Sequence, residues 1–207
     1  MRFMHKVILV CPIMILLALS GCSEKTVGAK DYISWVTNKN NGLKVSKDIG
    51  NYSFCLQYEP VPYVALREQY DGKVTNGKLE EAIKERSGFQ YFILEISTID
   101  KKTDILKSDL KASGDYYTRI QYFSYMMQDD LKLMDGTQTV PCQLFQFERD
   151  YGVTPFQRFV LGFPKGKTST GNQDKTLIYD DKVLGINKME IKIDAKAIDR
   201  LPHLKLD

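Results

Sequence analysis

Residues 89–97 constrain the fold more than any other stretch. Tyr91, Ile93 and Glu95 alternate there with Phe92, Leu94 and Ile96, which is the period of a β-strand. Apolar side chains on both faces predict a strand covered on two sides, so it belongs inside a sheet and not at its edge. Further runs of strand length follow the same logic. Residues 52–58 form an aromatic-rich strand after the turn Ile49-Gly50-Asn51, and residues 156–163, 175–180 and 188–194 form three more. Residues 124–134 and 140–149, joined through Asp135-Gly136, read as a hairpin, with Cys142, Leu144 and Gln146 opposite Phe145 and Phe147.

Helical spacing is confined to short pieces. Residues 31–37 with Tyr32, Ile33 and Trp35 predict a brief helix stopped at Asn38 to Gly42. Residues 61–69 allow one or two turns after Pro60. A charged helix over 79–86 places Leu79 and Ile83 on one side, and residues 115–123 align Tyr116, Ile120 and Phe123. Residues 198–201 make a last turn before a docked tail. The expected class is therefore mainly β, within α+β: an antiparallel sheet or sandwich with a few short helices.

The first 22 residues are of a different kind. Arg2, His5 and Lys6 give a positive start, and residues 7–19 are an apolar core followed by Ser20-Gly21-Cys22. That core is shorter than the roughly 20 residues of a transmembrane helix and fits the 7–15 of an export signal, with small residues where a peptidase cuts. Leu19-Ser20-Gly21-Cys22 resembles the lipobox of bacterial lipoproteins. The resemblance implies a diacylglycerol on the Cys22 thiol, cleavage before Cys22 and acylation of the new amine, an anchor of several acyl chains. Ser23, in place of an aspartate, implies delivery to the outer membrane in a Gram-negative cell. The expected division is a signal peptide at 1–21, a tether at 22–29 and one globular domain at 30–207, because removing residues 1–21 of 207 leaves 186, a size that suits one core.

Losing Arg2 and Lys6 leaves 27 basic residues against 26 acidic ones. The cations are interleaved with acids, so nothing here matches the clustered basic surplus of a nucleic-acid partner. Of the four cysteines, Cys11 leaves with the signal and Cys22 is the lipid site, so Cys55 and Cys142 remain. Export permits a disulfide between them, worth about 4–5 kcal/mol in the chain-entropy picture for a loop of that length. Two free thiols packed as small hydrophobes are the alternative.

No motif carries a reaction. Gly162 to Thr168 imitates a phosphate-binding loop but has three residues where the motif needs four, a proline among them, and no following helix. Once His5 is removed, His203 is the only histidine, which leaves no zinc pair and no nucleophile elbow. Asp129-Asp130 and Asp180-Asp181 lack the alternating oxygens and glycine of a calcium loop. The sequence thus predicts no catalytic residue, no metal ligand and no cofactor. Tyr116, Tyr117, Tyr122, Phe123 and Tyr125 crowd one stretch and serve either a core or an exposed binding surface. Trp35 reads as a core anchor near the tether.

The chain as a whole resembles uncharacterised lipoproteins of Bacteroidetes-type bacteria. The residues that carry this are Leu19 to Cys22, Asn41-Gly42-Leu43 ahead of Leu56-Gln57-Tyr58, Tyr91-Phe92-Ile93-Leu94, and Phe147-Glu148-Arg149. The resemblance implies a location and no activity. A membrane-anchored binding or scaffolding role with an envelope protein or glycan partner is the first expectation. A glycan hydrolase using acids such as Glu95 or Glu148 is the second, and a purely structural envelope protein the third. A hydrolase needs two facing carboxylates in a cleft, a binder an exposed recognition surface, and a structural protein only a surface for its neighbour.

Overall fold

The computed structural model describes residues 25–69, 76–111, 114–149, 153–166 and 173–206. Among these residues, eleven strands run in the order β1 (Thr26–Val27), β2 (Lys44–Ile49), β3 (Tyr52–Glu59), β4 (Phe89–Thr98), β5 (Leu131–Asp135), β6 (Gln138–Pro141), β7 (Leu144–Glu148), β8 (Phe156–Pro164), β9 (Lys175–Asp180), β10 (Lys188–Ile193) and β11 (His203–Leu204). Among the described residues, α-helices accompany them at α1 (Ala29–Thr37), α2 (Val61–Gln69), α3 (Asn76–Arg86), α4 (Asp115–Gln121) and α5 (Ala195–Asp199). The protein is mainly β, as the alternation predicts. A five-stranded antiparallel sheet has the order β2-β3-β4-β8-β7, and a four-stranded one the order β10-β9-β5-β6.

The central position of β4 follows from its side chains. Val45, Leu56, Leu94, Phe159 and Phe147 form one row across all five strands, and Leu94, Leu56 and Phe159 are fully buried. The four-stranded sheet contributes Leu133, Leu177 and Ile191 from directly paired positions to the same core. A step of one residue along each strand reverses the face. The row on the other side of the five-stranded sheet is therefore Ser46, Cys55, Glu95, Arg158 and Glu148.

At one end of the core the two sheets are joined by polar groups. Lys175 lies opposite Asp135 in the ladder, 2.8 Å from it, with 3% and 1% of their side chains exposed. Gln90 of β4 donates to the other Asp135 oxygen at 2.9 Å, a bond from one sheet to the other.

Several expectations need correction. The predicted strand over 124–134 begins only at Leu131. Residues 122–126 continue α4 as a π-turn, in which the Met127 N–H reaches Tyr122 five residues back, and a 3₁₀ turn follows at Met127–Asp130. Burying Tyr122, Phe123 and Met127 together requires that spacing, which alternation cannot provide. The run 140–149 is split: the Cys142 N–H donates to Leu131 and the Gln143 N–H to Gly162, so the chain leaves one sheet and enters the other there. Part of the expected tether is structured, since Thr26 and Val27 pair in parallel with His203 and Leu204, and Ala29 opens α1.

Cys55 and Cys142 are both free. Cys55 sits half-buried on the outward row, whereas Cys142 belongs to the core, so the sheet between them keeps their side chains apart. Burial pushes the Cys142 thiol up to about 12. Thiolate is the reactive form, so iodoacetamide on native protein is expected to label Cys55 and spare Cys142, and mass spectrometry after unfolding should find both. A native adduct on Cys142, or blocked thiols after unfolding, would contradict this arrangement.

Candidate ligand groove

The outer face of the five-stranded sheet carries a groove of about 400 Å³, whose floor is the row Lys44, Gln57, Ile93 and Val160 beside the row of Glu95, Arg158 and Glu148. Its wall is α2. Pro60 ends β3, and Pro62 is tolerated in the first helical turn, so the chain turns from strand to helix directly after Glu59. Arg67, near the end of α2, reaches back to Glu59 and places Nη1 2.6 and 2.7 Å from its two carboxylate oxygens.

Burial decides the electrostatics here. Only 4% of the Glu59 side chain is exposed, against 42% of Arg67. Burial raises the Glu59 carboxyl above the ordinary carboxylate value, and the Arg67 charge pulls it back down. Glu95, 14% exposed, receives Lys44 at 3.1 Å and Arg158 at 2.9 Å. Arg158 lies between Glu95 and Glu148 in register, 3.9 Å from the latter. Each arginine also lies over a ring, Arg67 over Tyr63 at 5.8 Å and Arg158 over Phe156 at 5.4 Å. A second hollow of about 360 Å³ shares Lys44 and Glu95 with the first and continues past Cys55 to Lys39 and Lys101.

The two acids singled out from sequence, Glu95 and Glu148, do share this face. Arg158 stands between them in register, 2.9 Å from Glu95 and 3.9 Å from Glu148. Glu59, Arg67, Lys44 and Arg158 went unnoticed in the sequence. Their signal was Glu95 itself: a carboxylate within an otherwise apolar central strand requires a partner from a neighbouring strand.

The remaining candidates have structural roles. Gly162 pairs with Leu144, and a Cβ on it would lie 2.7 Å from the Leu144 Cβ, so strand packing accounts for this glycine without a phosphate. Thr168 falls outside the described residues, as does Cys22. His203 is exposed on β11. Asp130 accepts from the Tyr122 hydroxyl at 2.8 Å. Asp181 is buried and accepts from the Tyr179 hydroxyl and from the N–H groups of Val183, Leu184 and Ile186, holding the loop after β9. No group of three His, Cys, Asp or Glu among the described residues could hold a metal ion. The aromatic stretch divides, with Tyr122 and Phe123 in the core and Tyr117 and Tyr125 exposed by 74% and 80%. Trp35 packs partly buried against the core. A hollow of about 410 Å³ beside Arg119 is lined by a guanidinium already bonded to the carbonyls of Ile105, Ser108 and Val183. No described helix is long and apolar enough to cross a membrane.

No family model and no curated protein matches the chain. Among solved structures it is similar to a protein of unknown function from Burkholderia pseudomallei K96243, at 11% identity and a TM-score of 0.39, over 85% of this chain and 90% of that one. It is also similar to a DUF4426 family protein from Pseudomonas aeruginosa PAO1, at 9% identity and a TM-score of 0.32, over 72% of this chain and 90% of that one. Both scores lie below 0.5, and neither likeness bears on what this protein does.

Proposed function

We propose that this protein is an envelope lipoprotein, anchored through Cys22 at the outer membrane, that binds a ligand or partner in the groove on the outer face of its five-stranded sheet. The observation that carries the binding reading is the pairing of the buried Glu59 with the half-exposed Arg67, repeated by Glu95 with Arg158. Surface ion pairs of ordinary kind contribute little, and burying carboxylates is costly. Two such carboxylates, each holding a guanidinium at the mouth of the same concave surface, are better suited to presenting those cations than to stabilising the fold.

The anchor reading is supported by Leu19-Ser20-Gly21-Cys22 and by geometry downstream of it. Lys25 lies three residues after Cys22, a reach of roughly 10 Å at full extension. Lys30 and Ile33 of α1 face Tyr63 and Arg67 of α2, so the groove wall lies against the first helix after the anchor. Ligands captured there are held close to the membrane surface.

Cell fractionation tests the anchor. Cys22→Ala is expected to move the protein from the membrane pellet to the soluble fraction, because the acyl chains supply the attachment. Membrane retention of that variant would contradict the anchor. Arg158→Ala is expected to leave localisation unchanged and to weaken partner capture.

A further inference from the structure

The geometry points to an anionic ligand for this groove, one bearing carboxylate or phosphate groups that Arg67 and Arg158 grip together. The assignment rests on the groove being the binding surface and adds the chemistry of what binds. Cations outnumber acids along the two joined hollows: Lys39, Lys44, Arg67, Lys101 and Arg158 face Glu59, Glu95 and Glu148. Two of the three acids are the more buried partners: Glu59 and Glu95 expose 4% and 14% of their side chains, whereas Arg67 and Arg158 expose 42% and 43%. Glu148, at 42%, is as open as Arg158. An entering molecule therefore meets the two guanidinium edges before it meets the oxygens of Glu59 or Glu95.

Those guanidiniums are pre-organised. Arg67 reaches both Glu59 oxygens through Nη1 alone, which turns the rest of its fork away from that pair. Arg158 bonds Glu95 through Nη2. With each guanidinium ion-paired and lying over the ring of Tyr63 or Phe156, both are held before a ligand arrives, and less side-chain entropy is lost on binding. A planar fork matches the paired oxygens of a carboxylate or phosphate, and two forks in one groove favour a ligand with more than one such group. Gln57 and Tyr63 in the same groove add hydrogen-bonding groups suited to the neutral part of a sugar acid or a peptide.

Calorimetry on the lipidated protein in neutral detergent tests this with three probes: trigalacturonate, uncharged galactotriose and tripolyphosphate. Trigalacturonate is expected to bind at least tenfold more tightly than galactotriose, with affinity falling as salt rises. Arg158→Gln, in which Lys44 still holds Glu95, should weaken binding fivefold or more. Arg67→Lys keeps a charge on Glu59 but loses the fork, and should do the same; both variants should melt normally. Lys188→Glu, on β10, should change nothing. Tripolyphosphate binding in place of trigalacturonate would support the same anion grip with phosphate as its source. Equal binding of trigalacturonate and galactotriose, indifference to both arginine variants, or no binding by any probe would overturn the assignment. A partner crosslinked from the groove in cells despite that outcome would leave the binding reading standing and remove only the anion.

Discussion

Asp135→Leu is expected to cost about 3–5 kcal/mol of stability, because it strands the Lys175 ammonium in a site where 3% of that side chain is exposed. Domains of this size have a total of roughly 5–15 kcal/mol, so the loss is a large share. The double variant Asp135→Leu/Lys175→Met removes both charges and is expected to recover most of the loss. The remaining deficit belongs to Gln90, whose amide donates to Asp135 and would lose a buried acceptor at about 1–3 kcal/mol. Urea melts decide the matter: a double variant as unstable as the single one would show that the charges were not the cause.

Phe159→Ala is expected to have an effect of similar size by a different route. The ring is fully buried and stands 5.0 Å from Phe147 in a stacked arrangement, 5.3 Å from Phe123 and 6.0 Å from Phe145. It thus ties β8, β7 and the turn after α4 together, and its removal leaves a cavity those three elements cannot close in concert. Such truncations cost about 3–5 kcal/mol, which lowers the melting midpoint by roughly 10 °C in a chain of this length. Phe159→Leu retains most of the volume and should cost less. A loss below about 1 kcal/mol for Phe159→Ala would mean that the aromatic cluster does not pack as described.

The fold class was legible because alternation is a local signal. Residues 89–97 announce a doubly covered strand, and β4 is indeed flanked by β3 and β8. The edge strand β2 was not recognised, since Lys44, Ser46, Lys47 and Asp48 keep it polar even though Val45 and Ile49 pack inward. Residues 124–130 read as strand but complete the turn after α4, because Tyr125, Met126 and Met127 supply aromatic and apolar residues with no single period. The groove is harder still to anticipate. Glu59 and Arg67, eight residues apart, meet across the turn from β3 into α2, and Glu95 and Arg158, sixty-three apart, meet through sheet register, which no single strand encodes. Glu95 and Glu148 could be named from the sequence as acids; that Arg158 would lie between them could not.

The claim most worth testing is that the groove is where this protein meets its partner. A photoreactive p-benzoylphenylalanine placed at Gln57, on the groove floor, and separately at Lys188, on β10, compares two faces of the same anchored protein in intact cells. Irradiation is expected to give a discrete adduct from position 57 that is absent from position 188 and lost when Arg158→Gln is added. No adduct from position 57, or the same adducts from both positions, would contradict the groove as the binding surface.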